Sequence, residues 1–335
     1  MGRKKRANLR DVALHSGVSV ATVSRVLNAP LRVSEATRNR VEAAIQELRF
    51  TPSAAARAIN SGRSHTIGAL VPTLDHAIFA KFLGRLEEGL SDRGFSLLVS
   101  TTQSDPEVEM RKAQALLNIG VEGLVVSGAD HAPGFDDLVA RFSVPVVLTS
   151  IHDSAAPHPT IGYDNRAVAR TALGHLAELG HRRIAVIHGP TGQNDRTRAR
   201  LDGLRGADLP VTLSFLEGRL GVSGGVEGVR DLLTRPQRPT AILCLSDVLA
   251  LGALFELNRA GLAVPEQMSL MGIDDLAWAR SGAPGLTTVH LPAEDMGTRT
   301  AEALARWIEE GTRPAATRLH ERLIVRNSTR PPDAA

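Results

Sequence analysis

Apolar residues in the first fifty positions recur at helical spacing and mark three short amphipathic segments. Leu9, Val12 and Ala13 define one face of a helix over Leu9 to Ser16. Val20, Val23, Val26 and Leu27 do the same for Val20 to Asn28, and Val41, Ile45 and Leu48 for Glu35 to Leu48. Gly17 suits the positive φ of a tight turn, and Ser19 and Ser34 stand where helix N-caps belong. Thr51-Pro52-Ser53 breaks the pattern, and the segment Ala54 to Ile59 that follows is too short to hold a helix alone.

From Thr66 the period changes to apolar runs alternating with amphipathic helices. Strands are expected at Ile67–Val71, Phe95–Ser100, Gly123–Ser127 and Val144–Ser150, with helices near Ala80–Leu90, Pro106–Ile119 and Phe135–Phe142. A second set is expected to open with a strand at Thr160. It continues with helix Arg166–Leu179, strand Ile184–Gly189, helix Thr197–Gly203, strand Val211–Leu216 and helix Val222–Leu233. Strand Ala241–Ser246, helix Val248–Ala260 and strand Ser269–Ile273 follow, and a last helix spans Ala293 to Glu310 before a basic tail. Near-continuous apolar strands alternating with helices mean parallel sheets covered on both faces. Two successive sets imply two doubly wound halves with a ligand crevice at the carboxyl ends of their strands.

Charge changes the picture at one end only. The chain of 335 residues carries a formal net charge of +3. Residues 1–65 hold 12 Lys/Arg against four acids, a balance of +8, which leaves −5 for the remainder. A basic head on a mildly acidic body attracts a phosphate backbone at the head, although a solvated basic tail has the same signature. The opening Arg3-Lys4-Lys5-Arg6 could begin a leader, but no apolar stretch follows it and no run approaches a membrane span, so a cytoplasmic chain is expected. Cys244, the single cysteine, excludes an intramolecular disulfide and reads as a core residue.

Catalytic chemistry finds little support. The 11 histidines show no metal-ligand spacing, Asp274-Asp275 has no second acidic cluster or phosphate loop beside it, and no Gly-x-Ser-x-Gly elbow occurs. No catalytic residue, metal or cofactor is expected.

The segment Asp11 to Asn28 is the most informative. A small Ala13 at the helix crossing, a glycine turn at Gly17 and a second helix with Val23, Val26 and Leu27 inward are the parts of a helix-turn-helix. Thr22, Ser24, Arg25 and Asn28 can then face outward, with Val20 and Ala21 leading. Such a helix enters the major groove, where arginine can chelate guanine and small apolar groups touch thymine methyls. A helical hairpin binding a protein partner is the competing reading.

Val18-Ser-Val-Ala-Thr-Val-Ser-Arg-Val-Leu-Asn28, with Val33-Ser34 and Arg40-Val-Glu-Ala-Ala44, resembles the lactose-repressor/galactose-repressor (LacI/GalR) family. The resemblance runs on through Gly180-His-Arg-Arg-Ile184, Arg198-x-Arg200-xx-Gly203, Ala250-Leu-Gly252, Gly272-Ile-Asp-Asp275 and Leu286-Thr-Thr-Val289, about 320 residues in all. It implies a helix-turn-helix domain at 1–50, a hinge segment with a hinge helix at 51–65 and a periplasmic-binding-protein-like sensing and dimerisation core at 66–330. Within that core the N-subdomain would cover about 66–160 plus 292–318, and the C-subdomain about 161–291 plus 319–330.

The same resemblance implies a homodimer on a pseudo-palindromic double-stranded operator, most simply as a repressor controlled by a small-molecule effector, with no membrane partner. Val20 and Ala21 would read bases, while Ser19, Thr22, Ser24, Arg25 and Asn28 support bases and phosphates, and Asn8, Arg10 and Arg32 also touch DNA. Ala56, Arg57, Ile59 and Asn60 would form the hinge helix on the minor groove, with Ile59 as the wedge in place of the usual leucine. Phe79, Ser127, Ser150, Arg200, Leu220, Ser246 and Asp274 would line the effector site. Arg200 and Asp274 facing each other suit a hydroxylated ligand, because guanidinium and carboxylate can each make two hydrogen bonds. Ser150, Ser246, Leu220 and Leu291 stand where the family more often has aspartate, asparagine, an aromatic and glutamine, so a less polar site than a simple sugar pocket is expected. A solute-binding or sugar-modifying protein with a basic arm is the alternative, and the helix-turn-helix argues against it. A regulator that has lost its ligand and answers to a protein is a third possibility.

Overall fold

The computed structural model describes residues 7–50 and 63–333. The chain divides after Ser64 into two compact units, residues 1–64 and 65–335. The predicted segment Ala54–Ile59, with the hinge positions Ala56, Arg57, Ile59 and Asn60, lies outside the described residues, as does the Asn28 side chain.

The described residues of the first unit form three α-helices, α1 (Leu9–Ser16), α2 (Val20–Asn28) and α3 (Glu35–Glu47), with a short 3₁₀ turn at Pro30–Arg32. Asn8 caps α1 in a reciprocal box with Asp11, and Gly17 ends it at a φ of +67°. Val12, Ala13, Val23, Val26, Val41, Ala44 and Phe50 close the core. Ser34 stands at the N-cap position of α3 but does not cap it, because its hydroxyl donates to Thr37 Oγ1 at 3.0 Å instead of accepting an amide.

The second unit holds two six-stranded sheets. Along the chain run β1 (Thr66–Val71), α4 (Ala77–Ser91), β2 (Ser96–Thr101), α5 (Pro106–Ile119), β3 (Gly123–Ser127), α6 (Phe135–Phe142), β4 (Val146–Thr149) and β5 (Thr160–Gly162). Then come α7 (Asn165–Glu178), β6 (Arg183–His188), α8 (Asp195–Arg205), β7 (Thr212–Glu217), α9 (Val222–Thr234), β8 (Ala241–Cys244) and α10 (Asp247–Arg259). β9 (Ser269–Asp274), α11 (Ala277–Ser281), β10 (Thr287–His290), α12 (Ala293–Glu310), β11 (Thr317–Arg318) and β12 (Arg322–Ile324) complete it.

The first lobe's sheet has the order β11-β5-β4-β3-β1-β2 and is parallel throughout; the second has β12-β10-β9-β8-β6-β7, with only β12 antiparallel. Strand order reverses between β1 and β3 in one lobe and between β6 and β8 in the other, so each lobe has a crevice at its strands' carboxyl ends. Helix pairs α4/α12, α7/α8 and α9/α10 cover the sheets.

The strand at Thr160 does not open the second lobe. It pairs in parallel with β4, Leu148 against Thr160 and Thr149 against Ile161, as the fifth strand of the first. Its apolar pattern announces a strand but not its neighbour. Gly162 permits the pairing's close fit, since a Cβ there would sit 2.4 Å from the Ile151 carbonyl oxygen. The chain therefore crosses between lobes three times: after β5, after β10 and after β11. No helix of the described residues is long and apolar enough to cross a membrane.

Candidate functional site

The head of α2 is built for display. Ser19 Oγ accepts the Thr22 amide at 3.1 Å and lies 2.9 Å from the Thr22 hydroxyl, so these two side chains are tied to each other. Between them Val20, 42% exposed, and Ala21 are exposed apolar side chains that no described residue of this unit buries. Arg10, Arg25 and Arg32 are exposed and make no ion pair among the described residues, and Ser24 is half-buried. Asn8 also holds its own helix in place, since its Oδ1 accepts the amides of Arg10 and Asp11 at 2.8 and 3.2 Å.

A cavity of about 1150 Å³ separates the two lobes at the carboxyl ends of their strands. Phe79, Ser150, Arg200, Leu220, Ser246 and Asp274 all line it. Arg200, on α8, is buried to 8% exposure and held twice from behind: Nε donates to Asn165 Oδ1 at 3.0 Å and Nη1 to the Leu245 carbonyl at 2.6 Å. These two bonds use two of the five guanidinium N–H groups, so Nη2 and the second hydrogen of Nη1 have no described partner and keep a two-pronged donor edge.

Asp274, at the end of β9, accepts the Ser246 hydroxyl at 2.8 Å and the Asp247 amide at 3.3 Å through Oδ2, leaving Oδ1 to the cavity. Its backbone φ is +130° and that of Ser150 is +66°, so both residues hold uncommon conformations where the strands meet the cavity. Burial raises the Asp274 pKa, and the Arg200 charge opposes that rise. Asp247 behind it is pushed up to about 7 by burial and by Asp274. Its own oxygens accept the Leu276 amide and the Thr288 hydroxyl.

Two expectations need correction. Ser127 does not line the cavity; its hydroxyl lies 3.4 Å from Ser150 Oγ and its carbonyl is taken by Arg196. Leu291 is 2% exposed in the hydrophobic core, so its replacement of a glutamine removes nothing from the cavity wall.

Several contributors escape the sequence reading. Tyr163 lines the cavity, with its hydroxyl pKa raised by burial and eased by Arg200. Asn165 links Arg200 to the Ser150 carbonyl, donating to it at 2.9 Å. His76 and Arg219 also line the cavity. The one signal for Asn165 is Asp164 just before it, whose carboxylate caps α7 and so fixes where that helix begins. Apolar walls come from Phe79, Leu220 and Leu276, and no described group pairs Arg200 with a carboxylate within salt-bridge distance.

Among known proteins, residues 8–53 match the family described as bacterial regulatory proteins, lacI family, and residues 173–329 the periplasmic binding protein-like domain. The HTH-type transcriptional repressor PurR of Escherichia coli O139:H28 is 32% identical over 329 residues, 96% of each chain. Its counterpart in Klebsiella pneumoniae is 30% identical over the same share. A crystal structure of the lac repressor dimer bound to operator and the anti-inducer ONPF superposes with a TM-score of 0.87 at 27% identity, covering 97% of this chain and 100% of that one. A transcriptional regulator CelR–cellobiose complex superposes with a TM-score of 0.70 at 30% identity, covering 96% and 100%.

Proposed function

Because the chain belongs to the LacI family of bacterial regulatory proteins, we propose that it is a cytoplasmic repressor whose grip on a pseudo-palindromic operator is set by a small metabolite held between its two lobes. It regulates transcription and is not an enzyme. The lac repressor structure, a dimer on operator DNA with a small molecule bound, supports the homodimer as the unit that reads two half-sites.

The observation that carries the sensing role is the pairing of Arg200 and Asp274. Each is buried, each is anchored by protein hydrogen bonds, and each keeps unused hydrogen-bonding capacity beside a cavity larger than most small-molecule sites. A donor edge and an acceptor oxygen set against Phe79, Leu220 and Leu276 suit a ligand with an apolar face and a few hydroxyl or carboxylate groups. Such a ligand alters DNA affinity only by its different affinity for the two lobe arrangements, and the coupling is reciprocal.

Calorimetric titration of the full chain with mono- and disaccharides, sugar acids and nucleobases tests this. A binding member of the panel should lose about 10- to 100-fold affinity in Arg200→Ala, because a charge-assisted hydrogen bond is removed. Asp274→Ala should act likewise, and both variants should still retard operator DNA but no longer respond to that compound. Wild-type affinity in both would place the ligand elsewhere.

A further inference from the structure

The lobes are joined at a second place, at the rim of the cavity, where Arg196 is the one contact residue that also lines it. After β3 the first lobe presents a strip, Ser127-Gly128-Ala129-Asp130, and against it lies the start of α8 from the second lobe. Asp195 Oδ2 accepts the Ala129 amide at 2.7 Å, and Arg196 Nη1 donates to the Ser127 carbonyl at 3.1 Å while holding Asp195 Oδ1 at 2.9 Å. Arg198 Nη2 meets both oxygens of Asp130 at 2.5 Å, and its Nη1 is braced on the Thr191 carbonyl at 2.8 Å.

Gly128 shows that this contact is built into the backbone. Its φ is +96°, and a Cβ there would fall 2.1 Å from Arg196 Nη1 and 2.9 Å from Asp195 Oδ1. Its amide is fixed by the Thr149 carbonyl at 2.9 Å, so the strip cannot swing aside without breaking the β3–β4 edge. Only glycine lets the opposite lobe's arginine lie flat on this turn. Arg196 and Asp195 are 12% and 17% exposed, whereas Arg198 and Asp130 are 40% and 31% exposed, giving an inner pair shielded from salt and an outer pair that salt reaches.

We propose that the strip 127–130 and the start of α8 form a latch that holds the lobes closed in the absence of any effector. The latch thereby sets the balance between open and closed lobes on which an effector then acts. None of these bonds requires a ligand, and Asp130 and Arg198 do not line the cavity. A closed resting state raises the fraction of the protein competent to enclose a ligand, so apparent affinity depends on the latch as well as on the cavity. The latch stands on its own geometry: it can fail while Arg200 and Asp274 still bind the effector, and the reverse.

The test uses the full chain with neither DNA nor any added small molecule, followed by hydrogen–deuterium exchange and small-angle X-ray scattering. In the wild type the Ala129 amide should be protected. Asp130→Asn and Arg198→Gln, which leave the backbone untouched, should each speed its exchange about 10-fold, the double variant little more than either alone, with an increased radius of gyration. Gly128→Ala should do the same more strongly, and raising salt should move the wild type toward the Asp130→Asn result. An Ala129 amide unprotected in the wild type would overturn the latch. So would variants that speed its exchange while the scattering profile stays the same, since that marks a local surface contact only.

Discussion

Two carboxyl groups on neighbouring turns of the second lobe divide their work by what surrounds them. Asp274 keeps an oxygen for the cavity, while Asp247 is wholly enclosed, accepting from Leu276 and Thr288 and resting against Gly272. In the unfolded chain Asp247 loses its proton near the ordinary carboxylate value; in the fold it keeps the proton to about pH 7. The folded state therefore binds the extra proton between these values, and this residue's contribution lowers stability as pH rises from about 4 to about 7. Asp247→Asn can still accept from Leu276 and donate to Thr288, so it should melt higher than wild type at pH 8 and match it near pH 4. A difference in melting temperature that does not change with pH would show that Asp247 is ionised throughout. His175 and His181, whose pKa values burial lowers, act in the opposite sense and cancel in this comparison. At this scale Asp274 and Arg200 were legible because they sit in family-like motifs. Asp247, next to the departure at Ser246, had no signal of its own, because its burial comes from the fold around it. Tyr163 gave no pattern at all and Asn165 only the Asp164 cap before it, because their place beside Arg200 depends on β5 joining the first sheet rather than the second.

Among the elements, those with strong punctuation were read to the residue. α5 begins with a Pro106 whose predecessor, Asp105, caps it, and ends at Gly120 in a left-handed conformation. α12 likewise stops at Gly311, with a φ of +73°. β10 was missed because it is a polar strand: the Thr287 hydroxyl pairs with Thr329 and the Thr288 hydroxyl with Asp247, so its side chains carry hydrogen bonds instead of an apolar stripe. β11, of two residues, exists only through its pairing with β5 and leaves no local trace. α2 was legible in both bounds and orientation, and it yields a prediction at its own scale. In operator selection from a random duplex library, exchanging Val20 or Ala21 for larger or polar residues should change the preferred bases at one or two positions per half-site. Ser24→Ala should weaken binding evenly across sequences. Identical preferred sequences from all variants would mean that another element reads the bases.

For the whole molecule, the charge split is the coarsest feature and the easiest to test. The +8 of residues 1–65 should give operator binding a log–log salt slope of several units, about −0.9 for each phosphate neutralised, and a chain beginning at residue 65 should bind no DNA yet still melt cooperatively. A nearly salt-independent affinity would contradict this assignment of the basic head. The three crossings between the lobes have a different consequence, for how such a protein can be altered by recombination. Residues 1–64 are one continuous stretch joined to the rest once, so a single splice can exchange this unit whole, α2 included. Neither lobe of the sensor is continuous, because α12 and β11 return to the first after β10 has completed most of the second. Exchanging a lobe would need three joins, each correct in register, whereas the cavity lining can be altered by single substitutions. The two specificities of the molecule are thus heritable by different routes, one as a cassette and the other residue by residue.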